Sequence, residues 1–146
     1  MDARNRFHTP SSWTLARAEQ LGLLFCCVVT ALAHLGDMRW PLFVLAFVSI
    51  DLVGYLPGAL AQRRAGEAPI SPIYHHLYNL THSYLTTFAL IGAWTLLAGD
   101  LEPAMLALPI HLAGDRGLFG NAFKPVELPF EPRPVDPLPL LRPEAA

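Results

Sequence analysis

Charge is scarce in this chain: only 15% of its 146 residues are Asp, Glu, Lys or Arg, and the formal net charge is −2. No basic stripe interleaved with aromatics runs through it, which excludes the electrostatic footprint of a nucleic-acid binder. Cysteine is nearly absent as well. Cys26 and Cys27 are adjacent inside an apolar run, where neighbouring thiols rarely bridge each other, and no second CxxC or Cys/His cluster offers a zinc framework. They read as packing residues.

What the chain has instead is apolar surface. With 53% hydrophobic residues and a positive mean hydropathy, it is too greasy and too short for an ordinary soluble enzyme domain. A bilayer core of about 30 Å needs roughly 20 helical residues, and four segments approach that length. They are 21–35, extendable through Trp13, Leu15, Ala16 and Ala18; 40–60, broken by Asp51; 73–98, polar at its start; and 103–120, the weakest, with His111, Asp115 and Arg116 inside it. Beyond them Pro125, Pro129, Pro132, Pro134, Pro137, Pro139 and Pro143 exclude regular helix and favour extended chain. The expectation is an all-α, four-transmembrane-helix bundle. Its divisions are a leader over 1–20, a membrane domain over 21–121 and a Pro-rich tail over 122–146, lying along a surface or disordered.

Basic residues set the orientation. In this layout Arg4, Arg6, Arg17, Arg63, Arg64, Lys124, Arg133 and Arg142 fall on the side holding both termini, and Arg39 falls opposite. The positive-inside rule therefore places both termini in the cytoplasm. Arg4 and Arg6 before an apolar run ending Ala31-Leu32-Ala33 also fit a signal peptide, but a long leader containing Arg17 and Glu19 speaks for an uncleaved first span.

Ionisable groups inside such spans need a reason, since each costs about 2.5 to 3.5 kcal/mol on insertion scales. At about 1.5 Å rise per residue, Asp51, His82, His111 and Asp115 reach similar depths in the cytoplasmic half of the membrane. His75, Asn79 and His82 share one face of the third helix, with His76 about a quarter-turn away; His111 and Asp115 share a face of the fourth, and Asp51 and Tyr55 of the second. These groups are expected to face each other. Imidazole nitrogens and carboxylate oxygens are the donor set of zinc, iron or manganese, and such an ion activates water at neutral pH. A purely structural hydrogen-bonded network is the bland counterpart.

The motifs IDLVGYLPG, YNLTHSYL and HLAGDR resemble those of a small family of bacterial four-helix membrane proteins of unknown function, over roughly 47–125. The matching positions are Asp51, Gly54, Tyr55, Tyr78, Asn79, His82, His111, Asp115 and Arg116. Ile50 stands where that pattern has proline, and the stretch 57–76 is longer. A looser resemblance is to the membrane-bound metal-dependent hydrolases, including the LexA-regulated inner-membrane hydrolases, through Asp51, His76 with Thr81-His82-Ser83, and His111 with Asp115. It implies a divalent metal, hydrolysis and a bacterial inner-membrane location.

The expected metal ligands are therefore Asp51, His82, His111 and Asp115, with His75 (by helix geometry) or His76 (by resemblance) as a fifth ligand or a general acid/base. Arg116 is a candidate for holding a phosphate-like or carboxylate group on its guanidinium fork; interfacial snorkelling is the alternative. Arg63 and Arg64 are expected to meet anionic headgroups. The implied partners are the bilayer, a lipid-like substrate or a larger membrane complex. Two rival classes stand beside this reading: a b-type haem held axially by His82 and His111, and a metal-free accessory or assembly subunit.

Overall fold

The computed structural model describes residues 9–131. Arg4, Arg6, His8, Arg133, Arg142 and the prolines from Pro132 onward lie outside the described residues. Five helices account for most of what is described: α1 (Pro10–Ala33), α2 (Trp40–Ala65), α3 (Pro72–Thr81), α4 (Tyr84–Ala98) and α5 (Ala107–Gly114). A 3₁₀ turn, Pro103–Leu106, leads into α5 and a π turn, Asp115–Phe119, continues it. Among the described residues there is no strand.

α1 begins inside the stretch expected to be leader, because the local chemistry of a helix start is there. Thr9 accepts the Ser12 N–H at 3.2 Å, Ser12 Oγ accepts the Thr9 N–H at 2.8 Å, and Pro10 stands in the first turn. At 24 and 26 residues, α1 and α2 are each longer than the roughly 20 needed to cross a bilayer core, and both are apolar enough to do so. The expected third span is not one helix. It breaks at His82 and Ser83, where Thr81 Oγ1 turns back to the Tyr78 carbonyl at 3.1 Å and Ser83 Oγ caps α4 by accepting the Leu85 N–H at 3.2 Å. Ser and Thr side chains offered their own backbone as partner compete with helix continuation.

The helical columns alternate in direction. At one end the start of α1 meets the end of the α5 column, where the Arg17 guanidinium donates to the Gly117 and Leu118 carbonyls at 2.8–3.1 Å. At the other, Arg39 pairs with Glu102 at 3.0 Å and joins the α1–α2 connection to the approach to α5. α1 and α2 both pack on α5, and α3 packs on the second half of α2.

The buried core is small, and many large apolar side chains are left exposed. The core is built largely of small and medium side chains, among them Ala46, Ile50, Ala107, Leu108 and Leu112, and Gln62, His75, His82, Thr87 and His111 are buried with them. Large apolar side chains point outward, with Leu96 and Leu97 on α4 86% and 88% exposed. The segment least able to insert alone, 103–120, is the most enclosed, which is how a helix carrying His and Asp is accommodated between apolar neighbours.

Candidate metal centre

Each carboxylate of the expected site opens a π turn. Asp51 starts Asp51–Tyr55 in the middle of α2, and Asp115 starts Asp115–Phe119 after α5. A π turn inserts a residue into the helical ladder and re-aims the side chains around it, which is why such turns gather at functional positions. His111 lies one turn before Asp115 on α5, and His82 sits in the break between α3 and α4. Gly54 lets that break approach α2: a Cβ there would collide with Thr81 Oγ1 and press on the His82 ring.

These placements converge on one point. His82 Nε2 lies 3.3 Å from Asp51 Oδ1 and 3.4 Å from Asp115 Oδ2; His111 Nε2 lies 3.5 Å from each of the same two oxygens. Donors around a tetrahedral ion with bonds of about 2.0–2.1 Å are spaced roughly 3.3–3.4 Å apart. Both Nε2 atoms are buried and neither makes a hydrogen bond, although two carboxylate oxygens stand beside each. Buried polar atoms are rarely left this way. Asp51, His82 and His111 form a group whose ligating atoms all lie within 4.8 Å of one another, and Asp115 faces both histidines.

His82 is held by hydrogen bonds, whereas His111 Nδ1 is buried with no hydrogen-bond partner and its ring is held by packing. His82 Nδ1 is 3.0 Å from Thr81 Oγ1 and 3.1 Å from the Tyr78 carbonyl, to which a protonated Nδ1 donates. That tautomer leaves the lone pair on Nε2, aimed at the cluster, as in metal-ligating histidines generally. The Tyr78 ring stacks on His82 at 3.8 Å, and Phe47 meets the His111 ring edge-on at 4.7 Å. The donor set thus fits a divalent ion. It fits a haem poorly, because Asp51 and Asp115 stand beside both Nε2 atoms where the macrocycle would lie.

The other expected site residues have different places. His75 is buried, but its Nε2 is 3.1 Å from the Leu128 carbonyl and its ring packs edge-on to Phe130 at 5.3 Å, so the following tail takes it rather than the cluster. His76 is exposed on another face of α3. Arg116 does not reach out for an oxyanion. Its Nη2 donates to the His82 carbonyl at 2.8 Å, and its guanidinium lies between the Tyr84 and Phe123 rings at 4.5 and 5.0 Å. It satisfies the backbone group that the helix break frees, and so ties the Asp115 turn to the His82 ligand. Cys26 and Cys27 are free thiols, Cys26 on the outward face.

Beside the cluster opens a cleft of about 400 Å³, lined by Asp51, Tyr55, Tyr78, Asp115, Asn121 and Lys124, with His82 and Glu131 completing it. Lys124 and Glu131 come from the tail and Asn121 is the residue before it; none carried a signal of a site in the sequence, and Lys124 was legible only as one more basic residue. Burial lowers the Lys124 ammonium below the ordinary lysine range, with Glu131 and Asp115 pulling the other way. Set against known protein families, curated proteins and solved structures, the chain finds no match.

Proposed function

We propose that this chain is a multi-pass membrane protein of the bacterial inner membrane that holds a divalent metal ion on Asp51, His82, His111 and Asp115 and uses it to hydrolyse a lipid-like substrate. One observation carries the reading: two buried, unbonded Nε2 atoms and two carboxylate oxygens meet at 3.3–3.5 Å. Without a metal ion the two carboxylates would be balanced instead by protons taken up on the two buried imidazoles. A bound divalent ion supplies the compensation and lowers the pKa of a coordinated water toward neutrality.

The chain's own residues do the rest. Tyr78 holds His82 in the tautomer that presents Nε2, and Arg116 holds the His82 backbone. The Tyr55 hydroxyl donates to the Glu131 carboxylate, and these two are the cleft-lining pair able to take up and return a proton, a role that neither His75 nor His76 is positioned to fill. Arg17, Arg63, Arg64 and Lys124 at one end, against Arg39 at the other, support a cytoplasmic mouth for the cleft. The apolar exterior of α1, α2 and α4 beside that mouth supports a substrate with an acyl or isoprenoid portion.

The test is elemental analysis, with an absorption spectrum, of detergent-purified protein beside the His82→Ala/His111→Ala double variant. Stoichiometric zinc, iron or manganese that disappears in the variant, without a haem band, is the expected result. A colourless, metal-free protein purified without chelators would contradict it.

A further inference from the structure

The stretch from Asn121 to Glu131 doubles back across α2 and α3 and is fastened there at three places. Asn79 grips the Lys124 backbone from both sides: its Nδ2 donates to the Lys124 carbonyl at 2.9 Å and its Oδ1 accepts the Lys124 N–H at 2.7 Å. Gln62 Oε1 accepts the Phe130 N–H at 3.1 Å while its Nε2 donates to the Gly66 and Ala68 carbonyls. Phe130 is fully buried over Gly58, where any side chain would collide with its ring. Between Pro125 and Leu128 the strap makes a turn, the Leu128 N–H donating to the Pro125 carbonyl at 3.3 Å, and on either side of it backbone groups find partners on α2 and α3.

The result is a lysine set in place beside the cluster. Lys124 Nζ donates to the Phe130 carbonyl at 2.5 Å and lies over the rings of Phe130, Tyr78 and Tyr55 at 4.4, 4.9 and 5.6 Å. An ammonium has three donors, and among the described residues only that carbonyl is hydrogen-bonded to it. It lines the same cleft as Asp51 and Asp115. Those two carboxylates would balance one divalent ion; of the strap's two acidic residues, Glu127 is exposed and Glu131, which accepts from the Tyr55 hydroxyl, stands near enough to Lys124 to act on its charge. Lys124 is the cation among the cleft-lining residues, and its ammonium has N–H donors left to offer an arriving anion.

We propose that the strap Asn121–Glu131 is the ligand-facing wall of the cleft and that Lys124 is its phosphate-recognising residue, holding the phosphate oxygens of a substrate whose reacting bond lies at the metal centre. This rests on the reading of the His/Asp cluster as a metal centre, but the lysine subsite is tested separately. A phosphate group arrives either on a lipid headgroup or on a soluble ester, and the strap's position at the basic end of the bundle selects the lipid.

The experiment uses the full chain in a neutral detergent, loaded with zinc, and titrates two probes: inorganic phosphate, and mixed micelles containing phosphatidic acid. Lys124→Met and Phe130→Ala are measured beside wild type, each with its metal content. The expected result is saturable binding of the micelles, with weaker binding of inorganic phosphate. Both affinities fall at least tenfold in Lys124→Met, with metal content unchanged, and fall again in Phe130→Ala, where the lysine is present but its strap is released. Wild-type affinity in Lys124→Met overturns the proposal. So does tighter binding of inorganic phosphate than of the micelles, because it removes the lipid source. A zinc-free protein that still binds phosphatidic acid through Lys124 would sustain the lysine subsite and defeat the metal reading; a zinc-loaded protein that binds neither probe would do the reverse.

Discussion

At the scale of single residues, the four donors are not equivalent, because they are held differently. His82 is fixed from two directions, by the Tyr78 carbonyl at Nδ1 and by Arg116 at its own carbonyl, whereas Asp51 is nearly half exposed to the cleft. His82→Ala and Asp115→Ala are each expected to abolish stoichiometric metal, as read by elemental analysis of protein that still elutes as folded. Arg116→Gln leaves all four donors in place but frees the His82 backbone; loss of such an outer support lowers metal affinity about 10- to 100-fold. Metal titration against a competing chelator checks this, and an unchanged affinity would return Arg116 to a surface role. The meeting of Asp51, His82, His111 and Asp115 was legible in the sequence because a charge inside an apolar span demands compensation. For Arg116, a guanidinium beside Asp115 suggests an anion site, and the sequence does not reveal that a carbonyl beside a helix break would take one of its N–H groups. His75 shares a face with His82, as its spacing predicts, yet Leu128 and Phe130 lie closer to it than the cluster does.

At the scale of elements, the centre depends on two π turns and one break. All three depart from the regular geometry that periodicity reports, so helix positions were legible while these irregularities were not. The run from Tyr84 onward reads as a continuous span, and only the local bonds of Thr81 and Ser83 show why it does not continue through His82. Gly54 is the contact on which the break rests. Gly54→Ala would force α2 and the break apart, and overpacking of this kind costs about 1–3 kcal/mol. The expected outcome is a lower unfolding temperature together with weakened metal binding; Gly22→Ala, at a site with open space around it, should change neither. The tail illustrates the same limit from the other side. Its prolines announce extended chain, but the burial of Phe130 over Gly58 depends on a notch formed by residues about 70 positions earlier in the chain.

At the scale of the whole molecule, a modest apolar core with five polar side chains buried in it is surrounded by many exposed large apolar side chains, an exterior that suits a lipid solvent. The proposed orientation has its own test: Arg39→Cys and Arg63→Cys, each in a chain whose Cys26 and Cys27 are replaced by serine, should label from opposite sides of sealed membrane vesicles. Labelling of both from one side would contradict the alternating columns. Because the donor atoms come from α2, the α3–α4 break and α5, a bound ion would cross-link most of the bundle. A ligand bound only by the folded state stabilises it in proportion to its saturation, by about 2.7 kcal/mol at a hundredfold excess over the dissociation constant. Chelation should therefore lower the unfolding temperature of wild type and leave that of His82→Ala unmoved. The central claim, one ion on two imidazoles and two carboxylates, is tested most directly by X-ray absorption of the metal-loaded chain. The account predicts scattering from two imidazole nitrogens and from oxygens at about 2.0–2.2 Å, with no sulfur; a spectrum without imidazole scattering, or with sulfur from Cys26 and Cys27, would contradict it.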